Sequence, residues 1–188
     1  PDVEVGGITA DSQGVRPGDL FVAVEGFSRD GRIVIQDAIE RGAVAVVSED
    51  EPETECGVPV LLAQDARRAL AFLADHIWGA PSRLLRVVGV TGTNGKTSTA
   101  LLIKAALEAS GAMRVGILET VRHAGGRRPD LRAHAAPGAE RIHFRLREML
   151  DPRMRARAIE VSSHALTQRA LDAASFDPAG PWSLWAAD

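Results

Sequence analysis

The chain has 188 residues, of which 45% are hydrophobic and 25% charged, with a formal net charge of −3 and a pI near 6.0. This length can bury a real core and corresponds to one or two domains. An acidic balance argues against nucleic acid as the main partner, which would favour a basic stripe. The single cysteine, Cys56, excludes an intrachain disulfide framework and fits the reducing cytoplasm. No apolar run approaches the roughly 20 residues of a membrane span, so no membrane partner is expected.

Apolar runs typical of strands alternate with amphipathic runs typical of helices in the N-terminal part of the chain. The elements predicted there are, in chain order, a strand at 19–26, a helix at 32–43, strands at 43–50 and 58–65, and a helix at 66–79. Composition indicates that the second and third of these strands are buried, and Gly42 is placed to cap the first helix. Glycine and proline within 79–83 mark a linker, so we place a domain boundary after residue 82.

The same alternation continues beyond the linker. The elements predicted there are a strand at 84–90, a helix at 97–111, a strand at 113–120, a helix at 139–150, a strand at 155–163 and a helix or helical turn at 164–174. The first strand is a continuous apolar run, typical of a parallel sheet covered on both faces. Alternating strands and helices predict an α/β fold with parallel sheets: a small domain over 1–82, then an incomplete P-loop domain over 83–188.

The stretch GVTGTNGKTSTA, residues 89–100, joins a predicted strand to a predicted helix. Glycines let backbone N–H groups approach phosphate oxygens, and the amides at a helix N-terminus attract phosphate. Lys96 is placed to reach the β- and γ-phosphates of a nucleoside triphosphate, and the Thr97 hydroxyl to hold Mg²⁺. The match to the common phosphate-loop pattern is imperfect, because Val90 stands where that pattern has its first glycine. The alternative is a glycine turn that merely joins strand to helix.

Three stretches in order carry a resemblance to a known family. TGTNGKTST resembles the ATP loop of the Mur ligase family, although folylpolyglutamate and cyanophycin synthetases carry close relatives of it. The stretch 8–26, with 30–47 after it, resembles the N-terminal domain of the Mur ligases that add the third residue of the muramyl peptide. AIEVSSHALTQRA, residues 158–170, resembles the central-domain signature of the same ligases.

The resemblance implies an ATP-dependent ligase of peptidoglycan precursor synthesis. Such a ligase joins UDP-N-acetylmuramoyl-L-alanyl-D-glutamate, a UDP-N-acetylmuramoyl-dipeptide, to a diamino acid, either meso-diaminopimelate or L-lysine. ATP phosphorylates the substrate carboxylate, and the amine then attacks the acyl phosphate. The resemblance also implies a UDP-muramyl-binding N-terminal domain, Mg²⁺ as a cofactor and a cytoplasmic location, and we expect a monomer.

The resemblance also assigns individual residues. Lys96 and Glu160 would be catalytic, with Thr97 a ligand to one Mg²⁺ and Glu160 a ligand to a second. The ATP-binding positions are Gly92, Thr93, Asn94, Gly95, Lys96, Thr97 and Ser98. The substrate-binding positions are Ala10, Ser12, Phe27, Ser28, Arg29, Ser162 and Gln168. The plain alternatives are a solvated acid at a strand end for Glu160 and a turn-forming serine for Ser12.

Some positions depart from the family pattern. Ala135 and Ala136 stand where a pair of threonines usually contacts the substrate, and Ala170 stands where the family has an arginine. Arg169 lies one position early, and one step along a helix turns a side chain by about 100°. Glu119 stands where glycine is common.

The chain also ends before the family's later metal-binding histidine, carbamylated lysine and C-terminal domain, so we do not expect this polypeptide to complete the reaction alone. The alternative function is a non-catalytic module that binds UDP-muramyl peptide or ATP, which the alanines favour slightly. A stand-alone P-loop kinase or ATPase is disfavoured, because it leaves the N-terminal stretch and 160–166 unexplained.

Overall fold

A computed structural model describes residues 2–25, 34–52, 55–111, 114–119, 138–150 and 154–176. The chain divides into two compact units, Pro1–Ile77 and Trp78–Asp188. Both units contain a parallel β-sheet with helices, which confirms the predicted α/β class. Within the described ranges, no helix is both long enough and apolar enough to cross a membrane.

The first unit is built on a parallel sheet whose strands follow one another in space as in sequence, β1-β2-β3-β4. Its elements are β1 (Gly7–Thr9), β2 (Asp19–Val22), α1 (Ile35–Glu40), β3 (Ala45–Ser48), β4 (Val60–Leu62) and α2 (Ala66–Ile77). All three strand pairs are parallel, so the carboxyl ends of the strands meet at one edge. Ligands of open parallel sheets bind at that edge.

Apolar residues from β2, β3, α1 and the loops beside them form the core of the first unit. The buried members are Val15, Phe21, Ala23, Ile35, Ala38, Ala43 and Val46. Phe21 is fully buried, and burying a side chain of this size stabilises the fold by roughly 1.5–3 kcal/mol. The predicted cap at Gly42 is confirmed: this residue follows α1 at φ 104°, and its N–H donates to the Ile39 carbonyl at 2.9 Å. A Cβ at Gly42 would lie 2.8 Å from Pro17 Cα, so the position also needs the missing side chain.

The second unit is built on a parallel sheet with the order β5-β7-β6. Its elements are β5 (Arg86–Val90), α3 (Lys96–Ala109), β6 (Arg114–Glu119), α4 (Ala139–Glu148), β7 (Met154–Glu160) and α5 (Ser163–Thr167). Strand β7 therefore lies between β5 and β6, although it follows both in sequence. The register pairs Val90 with Glu160, and Glu119 with the same Glu160, so the three strands end level with one another.

Helix α3 packs on this second sheet. Its Ala100 is buried beside Val90 of β5, and Ile103 packs against the same cluster. Helix α4 packs instead against the 3-10 turn Pro81–Arg83, and its Ile142 and Leu146 are almost completely buried. The opposite face of α3 is exposed at Leu101 and Leu102.

A contact between α3 and β6 fixes the start of that strand. The Lys104 ammonium donates to Glu108 Oε1 at 2.6 Å and to the Val115 carbonyl at 2.7 Å, and the Val115 N–H donates to Glu108 Oε1 at 3.0 Å. Both backbone groups of Val115 are thus satisfied by α3 side chains, as buried strand ends require. The Lys104 hydrogen bond, followed by the one from Val115, lowers the pKa of Glu108 below its ordinary value of 4.5.

The structure corrects some predicted elements. Strand β1 was not predicted, because its three residues include one glycine and no apolar alternation. Strand β4 was expected to be buried, yet Leu61 and Leu62 are 54% and 56% exposed, because β4 lies at the edge of the sheet among the described residues. A helix or helical turn was predicted over 164–174. The helix itself ends at Thr167, and turns follow it over 168–173, with Arg169 in a left-handed conformation at φ 53°.

Candidate functional site

The predicted phosphate loop joins the carboxyl end of β5 to the N-terminus of α3. Strand β5 ends at Val90, and α3 begins at Lys96. Gly95, which precedes the helix, adopts the left-handed conformation at φ 77°, where a residue with a side chain would be strained. Thr93, Asn94 and Gly95 are exposed, so the loop backbone is accessible to a ligand. The first N–H groups of α3 have no partner within the helix and face this loop.

Lys96 turns back over the loop that precedes it. Its Nζ donates to the Gly92 carbonyl at 2.6 Å and lies 3.4 Å from the Thr93 carbonyl. These contacts hold the ammonium group above the loop at the end of the strand, where the phosphate chain of a nucleotide would lie. The loop carbonyls are neutral acceptors, and charged phosphate oxygens form the stronger hydrogen bonds with an ammonium group.

The predicted metal ligands Thr97 and Glu160 are in direct contact. The Thr97 hydroxyl donates to Glu160 Oε2 at 3.0 Å, across 63 residues of sequence. Strand order explains this meeting, because β7 pairs directly with β5 and Glu160 is the residue opposite Val90. The prediction that Glu160 ends its strand is confirmed, but the residue is only 4% exposed, unlike the solvated acid of the alternative interpretation.

The donor chemistry of this pair fits Mg²⁺. The ion prefers oxygen ligands at about 2.1 Å in octahedral geometry, and it usually takes one or two protein oxygens together with water and phosphate. Two oxygens 3.0 Å apart have the spacing of neighbouring ligands in such an octahedron. Among the described residues no group of three or more His, Cys, Asp and Glu side chains could hold a metal, so a fuller protein cage is not formed there.

The predicted substrate residues of the second unit follow Glu160 in α5 and its flanking turns. Ser162 is buried, and its Oγ accepts the Ala165 N–H at 3.1 Å, which makes it the cap of α5. Gln168 is half-buried just beyond the helix. Whether either residue contacts a substrate stays a prediction. A serine directly before a short helix is an ordinary capping signal, and the sequence interpretation missed this role.

The structure shows how residues 169 and 170 are placed, the two positions at which the chain departs from the family pattern. Ala170 is fully buried, and its N–H donates to the Ala165 carbonyl at 3.0 Å. The side chain of Arg169 is exposed, and its Nη1 lies 3.6 Å from Asp172 Oδ2 in an ion pair. An arginine at 169 therefore does not stand in for one at 170. Ala135 and Ala136 lie outside the described residues, as does the side chain of Glu119.

The predicted uridine contacts of the first unit lie after β1. Ala10 is half-buried, and Ser12 is 7% exposed at the start of a single turn of 3-10 helix, Ser12–Gly14. The Asp11 side chain caps that turn by accepting the Gln13 N–H at 3.1 Å, and the Thr9 hydroxyl accepts the Asp11 N–H at 3.1 Å. These contacts fix the backbone that carries Ser12. Phe27, Ser28 and Arg29 lie outside the described residues.

A glycine loop between a parallel strand and a helix, with a lysine over the loop and a hydroxyl facing a strand-end carboxylate, defines a P-loop nucleotide-binding domain. Comparison with known families makes the class specific. Residues 90–180 match the Mur ligase middle domain, and residues 4–78 match the model described as Mur ligase family, catalytic domain. The chain belongs to the Mur ligase family.

Individual relatives agree with this assignment. The chain is 40% identical over 176 residues to a UDP-N-acetylmuramoyl-L-alanyl-D-glutamate--2,6-diaminopimelate ligase of Geobacter sulfurreducens, covering 94% of this chain and 34% of that protein. It is 45% identical over 170 residues to a UDP-N-acetylmuramyl-tripeptide synthetase of a Roseiflexus species, covering 88% of this chain and 33% of that protein. The chain therefore spans about a third of the length of these relatives.

A solved structure of a UDP-N-acetylmuramoyl-L-alanyl-D-glutamate--2,6-diaminopimelate ligase has the same fold. It superposes with a TM-score of 0.74 at 27% identity, covering 92% of this chain and 35% of that one. The family resemblance expected from the three sequence stretches is thus confirmed.

Proposed function

We propose that this chain supplies the ATP-phosphate site and the UDP-muramyl domain of an ATP-dependent carboxylate–amine ligase of peptidoglycan synthesis. The observation that carries the proposal is the contact between Thr97 and Glu160 at the carboxyl edge of the second sheet, beside Lys96. The relatives named for the diaminopimelate reaction favour meso-diaminopimelate over L-lysine as the amine, with UDP-N-acetylmuramoyl-L-alanyl-D-glutamate as the acceptor. The reaction would take place in the cytoplasm, and we expect the chain to act as a monomer.

The two units divide the binding of the substrates. The backbone N–H groups of Gly92–Ser98 would surround the phosphates of ATP, and the turn at Ala10 and Ser12, with Phe27–Arg29, would take the uridine end of the acceptor. Ser162 and Gln168 would contact the acceptor near the reacting carboxylate. In this role the Ser162 hydroxyl would keep its cap on α5 while it contacts the ligand.

The reaction needs charge neutralisation at the phosphoryl group more than covalent help from the protein. The acceptor carboxylate attacks the γ-phosphorus, the bond to the bridging oxygen breaks and ADP leaves. The amine then attacks the acyl carbon, phosphate leaves and the amine loses a proton, which gives the amide. Lys96 would exchange the Gly92 carbonyl for β- and γ-oxygens and stabilise the negative charge on the transferring group.

Thr97 and Glu160 would hold Mg²⁺, which when bound neutralises charge on the β- and γ-oxygens. Their contact favours one shared ion over the separate ions that the sequence assigned to each residue. For this role the Thr97 hydroxyl must turn its proton away from Glu160 Oε2 and offer a lone pair. The nearly complete burial of Glu160 leaves the carboxylate little contact with water and strengthens its attraction to a cation.

A non-catalytic binding module is the second candidate, and the buried Ala170 is the observation that favours it. At this position the chain offers no charged group to the acceptor, where the family pattern has an arginine. Such a module would keep both nucleotide sites without transferring the phosphoryl group.

The test is calorimetric titration of the whole chain with Mg²⁺·ATP and with UDP-N-acetylmuramoyl-L-alanyl-D-glutamate, followed by an assay of ADP formation with both present. UDP-N-acetylglucosamine, which lacks the peptide carboxylate, is the control ligand. Binding of both substrates, with ADP formed only when the muramyl dipeptide is added, would support the ligase. Binding without ADP formation would favour the module. Heat with ATP alone, and none with the uridine nucleotide, would contradict both and favour a simple P-loop ATPase.

A further inference from the structure

One side-chain contact in the first unit ties the start of α2 to the segment after β2. Arg67 Nη2 donates to the carbonyl oxygen of Glu25, across 42 residues of sequence. The preceding backbone is held differently, since the Ala23 N–H donates to the Val47 carbonyl at 2.8 Å and continues the pairing with β3. Beyond Ala23 the chain leaves the sheet, and the guanidinium group of Arg67 takes over its support.

This contact lies at the carboxyl edge of the sheet, where the uridine contacts are expected. Ala10 and Ser12 follow β1 at that edge, and Glu25 follows the neighbouring β2. The start of α2 is anchored to the same edge, because Glu49 Oε1, just after β3, accepts the Ala66 N–H at 2.8 Å. The backbone of Arg67 is thus fixed by its neighbour before its side chain reaches Glu25.

Arg68, the next residue of the same helix, has a different role. Its guanidinium carbon lies 5.5 Å from the centre of the Phe72 ring, one turn further along α2. Its backbone N–H donates to Asp65 Oδ1 at 2.8 Å, which caps the helix. Both contacts stay within α2 and the residue before it. The two adjacent arginines therefore differ in whether the side chain supports the strand-end backbone.

We propose that Arg67 is a positioning residue for the uridine nucleotide. By holding the Glu25 carbonyl it fixes the backbone just after β2, at the sheet edge where Ala10 and Ser12 follow the neighbouring β1. A preset backbone lowers the conformational entropy lost on binding and so raises affinity. The inference rests on the proposed function, because it concerns the uridine site of that ligase.

The experiment compares the whole chain with Arg67→Met, Arg67→Lys and Arg68→Met by calorimetric titration with UDP-N-acetylmuramoyl-L-alanyl-D-glutamate and, separately, with Mg²⁺·ATP. Methionine keeps an unbranched apolar side chain but cannot donate a hydrogen bond to the Glu25 carbonyl. Loss of one hydrogen bond from a charged donor corresponds to a roughly tenfold or larger change in an equilibrium constant. We expect Arg67→Met to weaken uridine-nucleotide binding about tenfold, and Arg67→Lys to recover part of the loss, because an ammonium group also donates to a carbonyl. Arg68→Met should bind within about twofold of the wild type, and ATP binding should be the same in all four proteins.

Hydrogen exchange of the backbone amides of 23–25 gives a second readout that does not need the ligand. Faster exchange in Arg67→Met, but not in Arg68→Met, is the expected result. Uridine-nucleotide binding that is unchanged in Arg67→Met, or equally weakened in Arg68→Met, would overturn the positioning role while leaving the proposed function intact. A wild-type chain that binds ATP but no uridine nucleotide would overturn both the positioning role and the uridine site.

Discussion

The two strand-end sites of this molecule are prepared for their ligands in different ways. In the second unit, the side chains that would hold Mg²⁺ and phosphate are already in place: Thr97 contacts Glu160, and Lys96 lies over the loop. In the first unit, the expected contacts among the described residues are an alanine and a buried serine, on a turn where the Thr9 and Asp11 side chains bond to the local backbone. Phosphoryl transfer needs charges placed before the reaction, whereas holding a nucleoside needs a shaped and rigid backbone.

The largest expected effect concerns Ala170, the buried alanine at a position where the family pattern has an arginine. Ala170→Arg should destabilise the second unit by about 3 kcal/mol, because a guanidinium group would replace a fully buried methyl group. Leu166→Arg, at an exposed position of α5, is the control and should stay within about 0.5 kcal/mol of the wild type. Urea unfolding measures both variants. Equal stability of Ala170→Arg and the control would mean that this position is open to the acceptor, as in the family pattern.

The next largest effect is the loss of ATP affinity in Lys96→Ala, which should leave the affinity for the uridine nucleotide unchanged. Lys96→Ala should weaken Mg²⁺·ATP binding about thirtyfold, the equivalent of roughly 2 kcal/mol for a lost bond to a charged donor. Binding of the uridine nucleotide should not change, because Lys96 is assigned to the phosphates of ATP and is not among the positions assigned to the acceptor. Calorimetric titration measures both affinities. Ser110→Ala, just beyond the other end of α3, is the control, and an ATP affinity equal in all three proteins would rule out the predicted role of Lys96.

Some of this arrangement was predictable and some was not. The apolar run of β5 and the glycine loop are local patterns, so the strand–loop–helix could be inferred directly, whereas Glu160 was assigned through the family resemblance. The contact between Thr97 and Glu160 depends on β7 lying beside β5, and no local pattern specifies strand order.

The edge strand of the first sheet and individual side-chain contacts were harder still to predict from the sequence. The apolar composition of β4 resembles that of a central strand, and only the sheet order shows that Leu61 and Leu62 lie at an edge among the described residues. The early end of α5 follows from the left-handed conformation of Arg169, which an arginine does not signal. The bond from Arg67 to Glu25 joins a helix to a strand end across 42 residues, beyond any periodic pattern.

The smallest expected effect concerns the support of the phosphate-site sheet by α3. Because the pKa of Glu108 is lowered in the folded chain, its stabilising contribution is fully present above its ordinary pKa of 4.5 and is lost as the pH falls through the lowered value. The difference in unfolding free energy between the wild type and Glu108→Gln should therefore be constant from about pH 7 to pH 5 and shrink below pH 4.5. Urea unfolding across this range measures it. A difference that grows as the pH falls would contradict the ionised contact with Lys104.

The central claim is that Thr97 and Glu160 form a site for the magnesium of Mg²⁺·ATP. The most direct measurement is ATP titration of the wild type, Glu160→Gln and the exposed control Glu148→Gln, each with Mg²⁺ and with EDTA. The account predicts that Mg²⁺ raises the ATP affinity of the wild type and of the control about tenfold, and that Glu160→Gln loses this increase while its affinity in EDTA is unchanged. An equal Mg²⁺-dependent increase in all three proteins would contradict the claim.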